Sequence, residues 1–203
     1  MSWDVDGTLY SVARLKWQLA GMLLREVAGG RGRAARGELA ALRRHREKVE
    51  GARSGGGVLG EAFGRGAGRE ALLDLEVRWY GRALARTGPR AGVVRLLSFF
   101  AARGVPQVAL SDYRAEYKLG ALGLEDRFAS IYAGESLGYV KPSPRAFERI
   151  ASDFRAPVAG ILHIGDRADT DGAAARAAGC QCLILGRDFR GFDSLLKRLH
   201  AAA

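Results

Sequence analysis

The chain has 203 residues, of which 48% are hydrophobic and 27% charged, and its formal net charge is +10. This length fits one domain, with or without an insertion, and suffices for a sizeable core. No apolar run approaches the roughly 20 residues that cross a bilayer, and the acidic start lacks the basic and apolar segments of a signal peptide. We therefore expect a globular, cytoplasmic protein without a membrane partner.

The positive charge favours anionic partners, either phosphorylated metabolites or nucleic acid. Abundant Arg, Ala and Gly are typical of a GC-rich genome, however, which weakens the charge as evidence for function. The basic run at residues 43–48 is interpreted as a solvated helix face. No Arg-rich segment carries the interleaved aromatic residues of a single-strand binder, so nucleic acid is not the expected partner.

Two carboxylates, Asp4 and Asp6, open the chain and are followed by Gly7 and Thr8. If a strand ends at Asp4 and a loop begins at Asp6, both carboxylates reach one small volume, since alternate strand residues point the same way. Gly7 lets the chain turn with its N–H groups facing that volume. Such a place can hold a metal cation beside an anion, although an ordinary Asp-Gly turn has the same sequence.

Helical spacing of apolar residues follows. It covers residues 12–28 with Ser11 as the cap, and then residues 34–49, 70–84 and 91–102. Residues 51–68 are rich in glycine, with Ser54-Gly55-Gly56-Gly57 at their centre. We interpret this segment as a mobile loop in which no helix or strand forms.

Beyond residue 106, short apolar runs alternate with helical patterns. The runs lie at 107–110, 130–132, 160–164 and 182–185. They indicate a parallel sheet that is buried on both faces. The predicted fold class is therefore α/β, a Rossmann-like parallel sheet flanked by helices, with residues 1–10 and 88–203 as the core and residues 11–87 as an inserted all-helical cap domain.

Two cysteines, Cys180 and Cys182, are separated by one residue in the last apolar run. On a strand they would point to opposite faces, so they cannot easily bridge each other or share a metal. They are predicted to be buried, reduced core residues.

In this topology, functional residues are expected directly after the strands. Ser111 and Asp112 follow the second strand, Lys141 precedes the helix that starts at Pro144, and three carboxylates lie within residues 166–171. Singly, each has an ordinary structural interpretation, such as a helix cap or an acidic helix start. Together and in this order, they are the residue types that phosphoryl transfer requires.

These segments resemble the four motifs of the haloacid dehalogenase superfamily, in the branch with a helical cap inserted after the first motif. The motifs are Asp4-Val5-Asp6-Gly7-Thr8, Ser111, Lys141-Pro142-Ser143-Pro144, and Gly165-Asp166 with Asp171. The cap resembles the family only in length and helical character. Substrate specificity is expected to lie there, for example at Arg53 or Arg65.

The resemblance implies a Mg²⁺-dependent phosphatase that hydrolyses a small phosphorylated metabolite through an aspartyl-phosphate. Asp4 would be the nucleophile, and Asp6 the general acid and then base. Mg²⁺ would be held by Asp4, Asp166 and the backbone carbonyl of Asp6, while Asp171 would support its waters or orient Lys141. The residues expected to bind the phosphoryl oxygens are Gly7, Thr8, Ser111, Asp112 and Lys141.

Asp6 also separates the possible chemistries. The resemblance implies that the dehalogenases lack this second acid, so its presence favours phosphate ester hydrolysis or transfer. A phosphosugar mutase of the β-phosphoglucomutase kind is an alternative, and a catalytically degenerate binding or regulatory protein is another.

Two departures from the family pattern bear on the degenerate alternative. Only three residues precede Asp4, so either the first strand is short or the true chain begins earlier. Asp112 stands where this branch commonly has Asn, and its carboxylate would weaken anion binding unless it turns away or meets a basic side chain. The oligomeric state stays open.

Overall fold

The computed structural model describes residues 1–59, 63 and 67–201. Five parallel strands form one sheet in the order β3-β2-β1-β4-β5. The strands are β1 (Ser2–Asp4), β2 (Val108–Ser111), β3 (Ser130–Ala133), β4 (Leu162–Gly165) and β5 (Gln181–Ile184). The short strand β1 lies in the middle, where Asp4 pairs with Leu110 and Trp3 with Ile164. The predicted α/β class is confirmed.

Helices make up the other regular elements of the described chain. The α-helices are α1 (Val12–Ala28), α2 (Gly32–Ser54), α3 (Ala67–Glu76), α4 (Arg82–Thr87), α5 (Val93–Ala101), α6 (Glu116–Leu122), α7 (Gly134–Leu137), α8 (Arg145–Asp153), α9 (Ala173–Ala178) and α10 (Phe192–Ala201). Two π-helical turns, Val77–Gly81 and Ala168–Gly172, precede α4 and α9. The regular elements described between β1 and α5 are all helical, and residues 11–87 are called the helical insert below.

The start of the helical insert follows the sequence prediction. Ser11 caps α1, its hydroxyl accepting a hydrogen bond from the Arg14 N–H at 3.4 Å, and the helix ends at Gly29. Helix α2 is longer than predicted, because it continues through residue 54.

The glycine-rich segment differs from the prediction. Residues 57–59 pair with backbone of the α/β core, and α3 begins at Ala67. The expectation that no helix or strand would form over 51–68 is therefore wrong for the described residues. Here the absence of a glycine side chain permits close backbone pairing. Arg65 lies outside the described residues.

Apolar side chains bury the sheet on both faces. One cluster is built around Trp3, Leu97 and Phe192, and the other around Phe147 and Ile150. Buried aromatic and aliphatic side chains of this kind supply most of the favourable free energy of folding. They also hold the carboxyl ends of β1, β2 and β4 at one edge, where the candidate site lies.

Two predictions about burial need correction. Cys180 and Cys182 are free thiols, but they are only half-buried, since β5 is the last strand of the sheet and Cys180 precedes it. The basic run at 43–48 is only partly a solvated face, because His45 and Arg46 pack against the core. Over the described residues, no helix combines the length and the apolar character that crossing a membrane requires.

Candidate active site

A cavity of about 420 Å³ lies between the helical insert and the carboxyl ends of the central strands. The core residues that line it include Asp4, Asp6, Asp112, Lys141, Asp166 and Asp171. The charged residues that the insert contributes are Lys16, Arg46, Glu50 and Arg53. The structure thus brings together side chains that are far apart along the chain, at the edge of the sheet where the sequence predicts them.

Lys141 lies between two carboxylates. Its Nζ donates to Asp4 Oδ1 at 2.5 Å and to Asp171 Oδ1 at 2.6 Å. Thr8 fixes the other oxygen of Asp4, since its hydroxyl donates to Oδ2 at 2.8 Å. Burial alone would lower the pKa of Lys141, but Asp171 and Asp4 raise it well above its usual range. The lysine is therefore a fixed positive charge beside Asp4.

Three carboxylates converge beside this lysine. Asp4, Asp166 and Asp171 each offer an oxygen within 4.8 Å of the others. Burial raises the pKa of Asp4 well above its usual range, against the pull of Lys141. Burial, and then Asp171, raises the pKa of Asp166 to about 6. One lysine opposes three acids, so a divalent cation would complete the charge balance.

The donor set fits a hard cation such as Mg²⁺, which prefers carboxylate oxygens. Asp171 is already engaged, because its Oδ2 accepts the N–H groups of Asp166 at 3.1 Å and Arg167 at 3.0 Å. The Asp166 carboxylate accepts no hydrogen bond within the described part of the chain. Asp4 and Asp166 are therefore the residues best able to hold a metal, and Asp171 orients Lys141.

Gly7 makes room for Asp166. Its φ is +96°, and a Cβ built on it would lie 2.1 Å from Asp166 Oδ2. Arg90 stabilises the same turn, since its Nε and Nη2 donate to the Gly7 carbonyl at 3.0 and 2.9 Å. Arg90 follows Pro89 in a segment without a motif, so the sequence offers no signal for this contact.

Asp6 is held as a carboxylate by residues that the sequence analysis missed. Lys118 Nζ donates to both of its oxygens, at 2.8 and 2.6 Å, and the Tyr10 hydroxyl donates to Oδ1. Burial by itself would raise the pKa of Asp6, but Lys118 and Arg46 hold it well below its usual range. Lys118 lies on α6, outside every motif, so nothing in the sequence pattern singles it out.

Two predicted phosphate ligands lie behind the cavity wall. Thr8 and Ser111 are both fully buried, and the Ser111 hydroxyl donates to Asp6 Oδ2 at 3.1 Å. In this structure Thr8 positions the carboxylate of Asp4, and Ser111 positions that of Asp6.

Asp112 links the helical insert to the segment that carries Lys141. Its Oδ1 accepts the Lys141 N–H at 2.9 Å, and its Oδ2 accepts Arg53 Nη2 at 2.8 Å. The carboxylate in place of the usual Asn therefore meets a basic side chain.

A second set of polar contacts joins the insert to the core outside the cavity lining. Glu135 of α7 contacts His45 Nε2 at 2.7 Å and Arg69 Nη2 at 2.5 Å. Arg69 also lies 3.4 Å from Glu76. The contacts of His45 and Arg69 with Glu135 hold the insert against the core.

Comparison with known proteins gives the class to which this fold and site belong. A family model described as haloacid dehalogenase-like hydrolase matches residues 2–179. The chain belongs to this family of hydrolases.

Individual proteins match this chain over part of its length or at low sequence identity. The phosphoglycolate phosphatase of Thiobacillus denitrificans is 35% identical over 114 residues, which is 55% of this chain and 50% of that protein. The chain thus matches about half the length of this curated relative. A 2-haloacid dehalogenase from Pseudomonas syringae pv. tomato has a TM-score of 0.65 at 18% identity, covering 100% and 98% of the two chains. A putative β-phosphoglucomutase from Thermotoga maritima has a TM-score of 0.58 at 16% identity, covering 97% and 89%.

Proposed function

We propose that the protein is a Mg²⁺-dependent phosphatase that hydrolyses a small phosphorylated metabolite through an aspartyl-phosphate. The observation that supports this most is the convergence of Asp4, Lys141 and Asp166 on one cavity, with Lys141 Nζ 2.5 Å from Asp4. A buried carboxylate beside a fixed cation can attack phosphorus while the cation offsets the charge of the phosphoryl oxygens.

In the first step, an oxygen of Asp4 forms a bond to phosphorus while the bond to the leaving oxygen breaks. Thr8 keeps Asp4 in the orientation for this attack, since it holds the other carboxylate oxygen. Lys141 neutralises the phosphoryl oxygens. Bound Mg²⁺, held by Asp4, Asp166 and the backbone carbonyl of Asp6, would add positive charge there.

Asp6 is assigned the proton transfers. The leaving oxygen takes a proton from Asp6, and in the second step Asp6 accepts a proton from the water that attacks the aspartyl-phosphate and regenerates Asp4. The ion pair with Lys118 keeps Asp6 in the deprotonated form that this second step requires, although it also makes the carboxylate a weaker base. The first step requires that the contact between Asp6 and Lys118 loosens when a substrate binds and that Asp6 takes up a proton from solvent, which it then gives to the leaving oxygen.

Residues 11–87 are proposed to act as a cap domain that selects the leaving group. The cavity volume of about 420 Å³ suits a small metabolite. Arg46 reaches this cavity with its guanidinium 4.5 Å from the centre of the Tyr113 ring. Its charge lowers the pKa of Asp6, but it forms no salt bridge among the residues described. Given the phosphoglycolate phosphatase relative, small phosphorylated carboxylic acids are the first substrates to test.

The experiment is a panel of phosphate esters assayed with Mg²⁺ and with EDTA, comparing wild type with Asp4→Asn. We expect Mg²⁺-dependent release of inorganic phosphate that Asp4→Asn abolishes. Interconversion of sugar phosphate isomers without net phosphate release would identify a mutase instead. If no ester reacts and Mg²⁺ with beryllofluoride leaves the melting temperature unchanged, the protein is a binding or regulatory member of the family.

A further inference from the structure

Part of the helical insert pairs with the core segment that leads to Lys141. We call Gly57–Leu59 the strap and Gly138–Val140 the lysine arm. The Val140 N–H donates to the Gly57 carbonyl at 2.7 Å, and the Leu59 N–H donates to the Gly138 carbonyl at 2.9 Å. Val58 and Tyr139 form an antiparallel bridge between them. The insert and the lysine arm thus share a short stretch of β-pairing.

Gly57 makes this pairing possible. It is buried, its φ is +79°, and a Cβ built on it would lie 2.1 Å from the Val140 carbonyl oxygen and 3.1 Å from Ser143. The clash would be with backbone, so no side-chain rotation could relieve it. Gly56 has the same φ of +79° but nothing within 4 Å of its built Cβ. Of these two residues, it is Gly57 whose contact with the core requires glycine.

A second tether runs from the insert to the same place. Arg53 is in the last turn of α2 and donates to Asp112, which in turn accepts the Lys141 N–H. The insert therefore holds the Val140 N–H directly, through Gly57, and the Lys141 N–H indirectly, through Arg53 and Asp112. The side chain of Lys141 then spans from this fixed backbone to Asp4.

We propose that the strap positions Lys141: docking of the helical insert on the lysine arm sets the lysine for the phosphoryl group. The Gly138 and Tyr139 N–H groups donate to the Gly134 carbonyl within the core, whereas the Val140 N–H, next to Lys141, donates to the strap. Without the insert in place, the Val140 N–H and one Asp112 oxygen lose these partners. Gly57 and Arg53 are positioning residues, and neither has to touch the phosphoryl group. The role assigned to Lys141 rests on the proposed phosphatase function.

Gly57→Ala, with Gly56→Ala as its matched control, tests the proposal. Both variants place a side chain at the same positive φ, so the contact with Val140 is what distinguishes them. We expect Gly57→Ala to lower kcat about 100-fold, the loss that a displacement near 1 Å produces. Gly56→Ala should stay within a few-fold of wild type.

Hydrogen–deuterium exchange gives a readout that does not depend on activity. The Val140 amide should exchange faster in Gly57→Ala and at the wild-type rate in Gly56→Ala, because it is the amide of the lysine arm that donates to the strap. Arg53→Met serves as a second variant if Gly57→Ala does not fold, and it should expose the Lys141 amide and lower kcat. Faster exchange at Val140 with an unchanged kcat would overturn the proposal, as would unchanged exchange at Val140 in Gly57→Ala. If wild type hydrolyses no ester, the phosphatase function fails instead, and the exchange experiment still tests the docking.

Discussion

Lys118 contacts both carboxylate oxygens of Asp6, at 2.6 and 2.8 Å, although 112 residues separate them in the chain. Helix α6 packs against α4 and against the π-helical turn Val77–Gly81 of the insert. Its Lys118 side chain reaches Asp6 in the loop after β1. Because Lys118 is buried, the pair is shielded from solvent on the lysine side. This contact makes Asp6 an ionised group in the resting protein.

Replacing Lys118 with Met should destabilise the protein by about 3 kcal/mol at pH 7, because it removes the ion-pair partner of a largely buried carboxylate. The pKa of Asp6 in the folded protein lies below its unfolded value of about 3.9, so this stabilisation is complete above that pH and is lost as the pH falls through the folded value. Urea unfolding at pH 7 and near pH 3 measures the difference. Lys197→Met, at an exposed lysine, is the control. Equal stability of wild type and Lys118→Met at pH 7 would contradict the ion pair.

Metal binding should depend on the ionisation of Asp166. Its pKa in the metal-free protein is raised to about 6, above the unfolded value, so the metal-free protein loses stability as the pH rises from about 4 to 6. Mg²⁺ requires the ionised form, so its affinity should fall about tenfold for each pH unit below 6. Calorimetric titration of Mg²⁺ at pH 5 and pH 7, in buffers of different ionisation enthalpy, measures the affinity and the proton release. Equal affinity at both pH values would rule out Asp166 as the linked group.

Gly7→Ala should remove Mg²⁺ binding. The new Cβ would lie 2.1 Å from Asp166 Oδ2, which forces that carboxylate away from Asp4. Gly30→Ala is the matched control, since Gly30 has a φ of +78° and no neighbour within 4 Å of its built Cβ. Thermal shift with added Mg²⁺ separates the two variants, because a ligand that binds only the folded protein raises its melting temperature. A normal Mg²⁺ shift in Gly7→Ala would show that Asp166 does not need this position.

Much of the fold follows from patterns that are local in the sequence. The alternation of apolar runs and helices beyond residue 106 predicts the parallel sheet, and the rule that sites lie after strands places Asp4, Lys141 and Asp166 together. Contacts such as those of Lys118 and Arg90 are set by how a helix or a loop packs back onto the site. No spacing of residues in the sequence encodes these contacts, so the sequence alone does not predict them.

The glycine-rich segment shows a different limit of sequence analysis. A run such as Ser54-Gly55-Gly56-Gly57 is typical of a mobile loop, and the same composition also permits backbone to approach backbone. Which of the two occurs depends on whether a partner is present. In this chain the partner of Gly57 is Val140, 83 residues away in the sequence.

Arg46 should distinguish esters by the charge of their leaving group. Arg46→Met should lower kcat/KM for a phosphorylated carboxylic acid, relative to a neutral aryl phosphate, by about 30-fold. That ratio corresponds to about 2 kcal/mol, a typical value for a hydrogen bond to a charged group. Arg44→Met, which removes an exposed arginine from the same helix, is the control and should leave the ratio unchanged. A ratio that is unchanged in Arg46→Met would mean that Arg46 does not contact the leaving group and serves instead to pack against Tyr113 and to keep Asp6 ionised.

The nucleophilic role of Asp4 is tested most directly by trapping the covalent intermediate. Wild type is mixed with Mg²⁺ and an active ester, quenched with acid within the first turnover, digested, and analysed by mass spectrometry. The account predicts one phosphoryl group on Asp4, absent from Asp4→Asn and from samples with EDTA. Release of phosphate by the Asp4→Asn variant at the wild-type rate, or a phosphoryl group on another residue, would contradict it.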